Sequence, residues 1–427
     1  MIGLATVFCF PARADDSSSW QRQLEQLQQQ NAKLQSQLRE QQELIAQLAK
    51  QVAEIKSVAP AKPVTQNESE TTSPKGFNLG KVHISGEGAV GFFRTGSEGF
   101  APNGEFRVDE AKLFVEAPVW KDVYFFSELN LFTREDTDLN LQLGELYLDF
   151  ENVSQLWQQD GQLNLRLGRF DIPFGEEYLS RDAIDDPLIS HSLMDFWGVD
   201  EGVEVYGAIA KLQYVLAVQS GGASSARDFT ADKSVTLRLS GDPISWLHVG
   251  ASAMRTGDVD VMNEGWSELW FGGGWFGPIS PSATQVHANL AQGDVTFRLP
   301  CGHVKLSGGY ARYGDNDPSA DNGRDIWFYS VEGLHRFTRK FYAAARFSQI
   351  LAERGYLLVG NGDINRFYFD PTQPLTDNLW QLSLGLGYRF CDQLVVKAEY
   401  TFERGHQVNG EHREHEDSFA AQVAFKF

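Results

Sequence analysis

The chain has 427 residues and a formal charge of −20, with forty glycines, thirty phenylalanines and thirteen tyrosines beside four methionines. So acidic a balance argues against nucleic-acid binding, which needs an excess of cations for phosphate. No run of eighteen apolar residues occurs, which excludes helical membrane spans but not spanning strands, only half of whose residues face lipid.

Residues 1–14, "MIGLATVFCFPARA", read as the remnant of a signal peptide: an apolar stretch from Ile2 to Phe10, then Ala12-Arg13-Ala14 as a small-x-small cleavage site. Residues 20–56 place Leu24, Leu27, Asn31, Leu34, Leu38, Gln41, Ile45, Leu48, Val52 and Ile55 at alternating spacings of three and four. That 3.5-residue repeat predicts a coiled coil, with Asn31 setting register and oligomer state at some cost in stability. Such a stripe has no partner within its own chain, so it implies self-association. Residues 57–76, rich in proline, serine and threonine without periodicity, read as a linker.

From residue 82 the period changes to two. Sixteen candidate strands follow: 82–94, 105–117, 123–133, 139–150, 162–171, 201–209, 212–220, 232–241, 246–256, 284–299, 303–313, 324–336, 341–352, 377–390, 394–404 and 415–427. In "WQLSLGLGYRF", Trp380, Leu382, Leu384, Leu386 and Tyr388 oppose Gln381, Ser383, Gly385, Gly387 and Arg389. A soluble sandwich also alternates, but three features favour a membrane barrel. Charged residues recur in mid-strand on one parity only. The strands are long enough for a tilted span. Short turns such as "GDPIS" and "RFCDQ" alternate with long loops, and aromatics (Trp120, Tyr124, Trp246, Phe337, Phe390) gather at strand ends as girdles do. The fold class predicted for 77–427 is an all-β, sixteen-stranded antiparallel transmembrane barrel, preceded by the α-helical coil. An even strand number puts both ends of the barrel on the short-turn, periplasmic side. The closing "SFAAQVAFKF" is then the seam, with Phe419, Val423, Phe425 and Phe427 toward lipid and lipopolysaccharide. Cys301 and Cys391, each at a short turn, are expected to be unpaired thiols.

"LGRFDIPFGEE" (167–177), a strand ending in Gly-x-Phe before a Pro-Phe-Gly turn and acidic residues, resembles the phosphate- and polyphosphate-selective porins of Gram-negative outer membranes. "LVVKAEYTFERG" with "EDSFAAQVAFKF" is similar to that family's final hairpin. The resemblance implies a homotrimeric porin whose long loop after the Pro-Phe-Gly turn folds inward to narrow the pore. That family filters phosphate through a ladder of inward arginines and lysines.

In this sequence the inward parity carries Lys112, Arg166, Arg238, Arg298, Lys305, Arg346, Arg389 and Lys397. It also carries Glu87, Glu110, Glu116, Glu128, Glu145, Asp149, Glu204, Glu332 and Glu399. The presumed inward loop adds Glu176, Glu177, Asp182, Asp185 and Asp186 against Arg181. Cations so matched depart from a phosphate filter, which needs them uncompensated. The constriction is expected at Arg166, Glu176, Glu177, Arg181, Asp182, Asp185 and Asp186. Other pore-lining residues are Arg238, Arg298, Arg346, Arg389, Lys397, Glu128 and Asp149.

The glycines Gly272, Gly274 and Gly277 lack the strand–helix context of a nucleotide loop. His406, His412 and His415 sit in an acidic segment that reads as a solvated loop rather than a metal site. No catalytic set, cofactor or metal is expected. Two functions remain: a porin for passive diffusion of small hydrophilic solutes or ions, and a barrel that merely anchors a coil gripping the cell wall. In a cylinder of this size the lumen is expected to stay aqueous.

Overall fold

The computed structural model describes residues 77–132, 141–221, 228–263, 270–271, 274–360 and 375–427. The expected signal remnant, coiled coil and linker lie outside them. Sixteen strands form the wall. In chain order they are β1 (Val82–Thr95), β2 (Glu105–Trp120), β3 (Val123–Phe132), β4 (Gln142–Phe150), β5 (Asn164–Asp171), β6 (Val199–Ile209), β7 (Leu212–Gln219) and β8 (Ser234–Ile244). Then come β9 (Leu247–Arg255), β10 (Gln285–Leu299), β11 (Gly302–Asp315), β12 (Arg324–Arg336), β13 (Phe341–Tyr356), β14 (Thr376–Cys391), β15 (Leu394–Gln407) and β16 (Ser418–Lys426). Each pairs antiparallel with the next, and β16 returns to β1, from Glu87↔Lys426 through Thr95↔Ser418. The cylinder is closed and leaves no free edge. Among the described residues the only helical turns are two short 3-10 segments, Val153–Trp157 and Glu177–Ser180.

The alternation read from the sequence is the alternation of the wall. Leu237 and Leu239 on β8, Leu384 and Leu386 on β14, and Val423 and Phe425 on β16 are exposed on the outside. Their neighbours Arg238, Ser383 and Gln422 are buried in the lumen. At the short-turn rim Trp120, Trp246, Phe337 and Phe390 stand exposed as the expected girdle. Most turns there span two residues, 121–122, 210–211, 245–246, 300–301 and 392–393. The connection 151–163 is longer and is folded around the 3-10 turn Val153–Trp157. Cys301 and Cys391 are free and exposed at that rim, as expected.

The seam has a specific fit. Phe427 exchanges backbone hydrogen bonds with Gly86 at 2.9 and 3.2 Å. A Cβ on Gly86 would stand 2.7 Å from the Phe427 ring, and one on Gly88 would stand 3.0 Å from the Phe425 ring. The terminal phenylalanines therefore lie over glycines, an aromatic ring filling the surface that a missing side chain leaves.

One expectation is corrected. The lumen is not wholly aqueous. Along β9–β14 the inward parity turns apolar (Met254, Leu290, Ala311, Ile326, Phe328, Ile350), and these residues pack with Ile172, Phe174, Phe196, Phe271, Phe276 and Tyr356 from the connections and strand end. The cause is loop insertion: the segment 172–198, together with Phe271 and Phe276, brings apolar side chains inside, and the wall opposite them answers in kind.

Candidate functional site

The inserted loop, 172–198, leaves β5 through the Pro-Phe-Gly turn. Gly175 there has φ of +74°, and a Cβ would meet the Gln292 amide at 2.8 Å, so both backbone and space require glycine. Its N–H donates to Ser252 Oγ at 3.1 Å. The loop then crosses to the opposite wall, where Ala183 and Ile184 pack on Ala89, Tyr342, Val395 and Ala424. Ile189 packs on Phe93 and Ala420.

A backbone carried into a barrel must still satisfy its polar groups, and the wall's charged residues do this. Lys397 Nζ donates to the carbonyls of Ala183 and Leu188, both at 2.7 Å. Arg346 donates to Ser190 O at 2.7 Å, and Arg389 to Ile184 O at 2.8 Å. The Glu399 carboxylate accepts from the N–H groups of Ile189 and Ser190.

The remaining expected pore residues form pairs. Arg238 binds Glu176 and, at 3.2 Å, Asp294. Arg346 binds Glu332 at 2.6 Å and Asp186 at 2.9 Å. Arg181 binds Asp195 at 2.7 Å and lies over the Trp197 ring at 4.6 Å. Arg166 binds Asp149 and Glu204 at 3.2 and 3.1 Å and lies 4.2 Å from the Tyr147 ring and 5.2 Å from that of Tyr206. Asp185 is half exposed, 3.5 Å from Lys426. Arg298 is placed apart from the others, half exposed at the short-turn rim and 3.0 Å from Asp242. Glu177 accepts from Ser192 N–H at 2.8 Å and from its hydroxyl, closing the loop on itself.

Burial favours the neutral form of the loop's carboxyls. It pushes Glu177 up, against the pull of Arg346. It carries Asp186 up to about 6, again opposed by Arg346. Asp182 is the exception: burial opposes its charge, but Lys112 at 2.6 Å holds it below the ordinary range.

Between the loop and the β2–β5 wall lies a cavity of about 230 Å³. The wall supplies Glu110, Lys112, Phe114, Phe126, Glu128, Asn130, Glu145 and Asp171, and the loop supplies Tyr178, Arg181, Asp182 and Trp197. Of these, Glu128, Arg181 and Asp182 were among the expected pore residues. The aromatic wall was missed. Phe114 stacks on Phe126 with ring centroids 6.0 Å apart, and Phe126 on Tyr147 at 5.0 Å. The signal was present, since Phe114, Phe126 and Tyr147 all fall on the inward parity.

Among the described residues two groupings have the spacing of a cation site: Glu87–Glu110–Asp182 and Glu177–Asp186–His191. Each already contains a fixed cation, Lys112 in the first and Arg346 beside the second. His406, by contrast, lies on β15, bonds Asp377 at 3.0 Å and stacks edge-on against His412.

A closed sixteen-strand cylinder, apolar outside, with charged residues and an inserted loop inside, defines the porin fold. Solved structures show the same architecture. OmpT, an outer membrane protein of Vibrio cholerae, superposes with a TM-score of 0.55 at 10% identity, covering 81% of this chain and 97% of that one. The outer membrane channel DcaP of Acinetobacter baumannii gives 0.53 at 13% identity, covering 82% and 99%. An anion-selective porin from Comamonas acidovorans gives 0.50 at 8%, covering 81% and 98%. No family model matches the chain, and no curated protein matches it in sequence.

Proposed function

We propose that this protein is an outer-membrane channel for passive diffusion of small hydrophilic solutes or ions. One observation carries the reading: the inserted loop fills one side of the lumen and leaves the polar cavity along β2–β5. A pure scaffold gains nothing from charged groups held at such a gap. The porin neighbours, one of them solved in a trimer form, support an outer-membrane location and a homotrimer. We propose that residues 20–56 form a periplasmic coiled coil that holds three chains in register.

Phosphate selectivity is not part of this proposal. The loop-side cations Lys112, Arg181, Arg238 and Arg346 each meet a carboxylate, so none of the four offers uncompensated charge to an anion stripped of water. The apolar cluster along β9–β14 favours a second reading, an occluded barrel serving as a tether for the coil. Planar-bilayer recording decides between them. Steady single-channel current, with a reversal potential under a salt gradient that shows cation preference, is expected of the channel. The tether passes no current.

A further inference from the structure

We propose that the cavity on the β2–β5 wall is a binding subsite for small organic cations, an ammonium group on an aromatic or apolar body. The inference rests on the channel reading for its physiological sense and adds the class of solute.

The cavity's fixed cations are committed. Lys112 Nζ contacts Glu110 at 2.7 Å, Asp182 at 2.6 Å and Glu87 at 3.4 Å. Arg181 contacts Asp195 and the Trp197 ring. Three further carboxylates, Glu128, Glu145 and Asp171, pair with no cation among the described residues, and only Glu145 accepts a backbone N–H, from Asp171 at 3.0 Å. Beside them Asn130 is 6% exposed, and its buried Oδ1 has no hydrogen-bond partner. A buried acceptor without a donor is destabilising. The Asn130 Oδ1 and the carboxylates of Glu128, Glu145 and Asp171 are acceptors, so the component that would satisfy them is a donor carrying positive charge.

An ammonium group brings three N–H donors and one charge. A hydrated divalent ion would need to keep several waters in a space walled on one side by Phe114 and Phe126. Those rings, with Trp197 across the cavity, offer apolar surface for the solute's body. Arg181 resting over Trp197 already shows one planar cation held against an aromatic face of the loop.

The test uses the full-length protein in planar bilayers with phenethylammonium chloride, and phenethyl alcohol as its neutral isostere. The amine is expected to give concentration-dependent current blockades and the alcohol none. Glu128→Gln should raise the half-blocking concentration about tenfold, as loss of a charge-assisted hydrogen bond does. Asp171→Asn provides a second variant should the first fail to insert.

Equal blockade by the alcohol, or amine blockade unchanged in folded variants, overturns the subsite while the channel reading stands. Blockade by magnesium chloride but not by the amine marks an inorganic-cation site and also overturns it. With no current at all, the channel reading fails. Calorimetric titration of the detergent-solubilised protein with the amine then still decides: heat lost in Glu128→Gln supports the subsite, and no heat in the parent protein ends it.

Discussion

Lys397 is the residue at which parity, charge and loop meet. Its place on the inward face was legible from "LVVKAEYTFE", but its role was not, because sequence spacing does not reveal that a carbonyl 214 positions away comes to its ammonium. As a lumen charge it would tune selectivity; bonded to Ala183 and Leu188 carbonyls, it holds the loop. Lys397→Met keeps the stem and removes the donors, at a cost of about 1–3 kcal/mol for each carbonyl left buried. The expected outcome is a folded barrel with noisier and larger open-channel current. Unchanged noise would mean that the apolar contacts of Ile184 and Ile189 suffice. Asp186 gives the pH counterpart. Its carboxyl, pushed to about 6 by burial against the pull of Arg346, binds its proton more tightly folded than at the unfolded value of about 4. The stability it contributes is full below about pH 4 and is lost as pH rises through about 6. Acidifying through that midpoint removes a negative charge beside Arg346, so cation preference measured by reversal potential should fall. Asp186→Asn should flatten that step.

Among the elements, strands were the most legible, since a wall between lipid and water leaves a two-residue period that nothing else in the chain imitates. What the period concealed was its own slips. Between Ala89 and Val90 the β1–β2 register shifts, so that Asp109 is an extra residue, buried at 1% exposure and bonded to Gln422 at 2.6 Å. A bulge of this kind carries no composition signal, and past it the inward set changes parity. The seam, by contrast, was written in the final residues, although the glycines that receive them were not singled out. Gly86→Val would put branched carbons where the Phe427 ring and the Lys112 carbonyl already lie at 2.7 and 2.9 Å from a Cβ. Deletion of Phe427 removes the ring together with the two backbone bonds to Gly86. Both changes should lower the yield of folded barrel in refolding followed by heat-modifiable gel mobility. Valine at Gly293, where a Cβ meets nothing within 4 Å, is the control and should refold as the parent does. Equal yields for all three would remove the seam's claim to a specific fit.

On the scale of the whole molecule, the sequence distinguished outside from inside but not filled from empty. Apolar residues on the inward parity of β10–β13 are the receiving surface for inserted side chains; the Pro-Phe-Gly motif pointed to an inward loop but not to what it packs on. Phe271 and Phe276 are the keystones of that filling. Their rings stack 5.6 Å apart, Phe271 meets Phe328 at 5.2 Å, and Phe276 reaches Phe196 and Tyr356 at 6.0 and 6.4 Å. Truncating a buried phenylalanine costs about 3–5 kcal/mol. Here that loss falls on the packing between loop and wall and not on the hydrogen-bond ladder that closes the cylinder. The double substitution Phe271→Ser and Phe276→Ser should therefore leave folding intact while loosening the lumen packing that these two rings hold. Single-channel conductance should rise, and blockade by phenethylammonium should persist, because the cavity on β2–β5 has none of these residues in its wall. If conductance is unchanged, the cluster does not limit flow, and the narrowest passage lies at that cavity. If conductance rises and blockade disappears, the two sides of the lumen are coupled through the loop they share, since Phe174 and Phe196 pack in the cluster while Arg181 and Trp197 line the cavity.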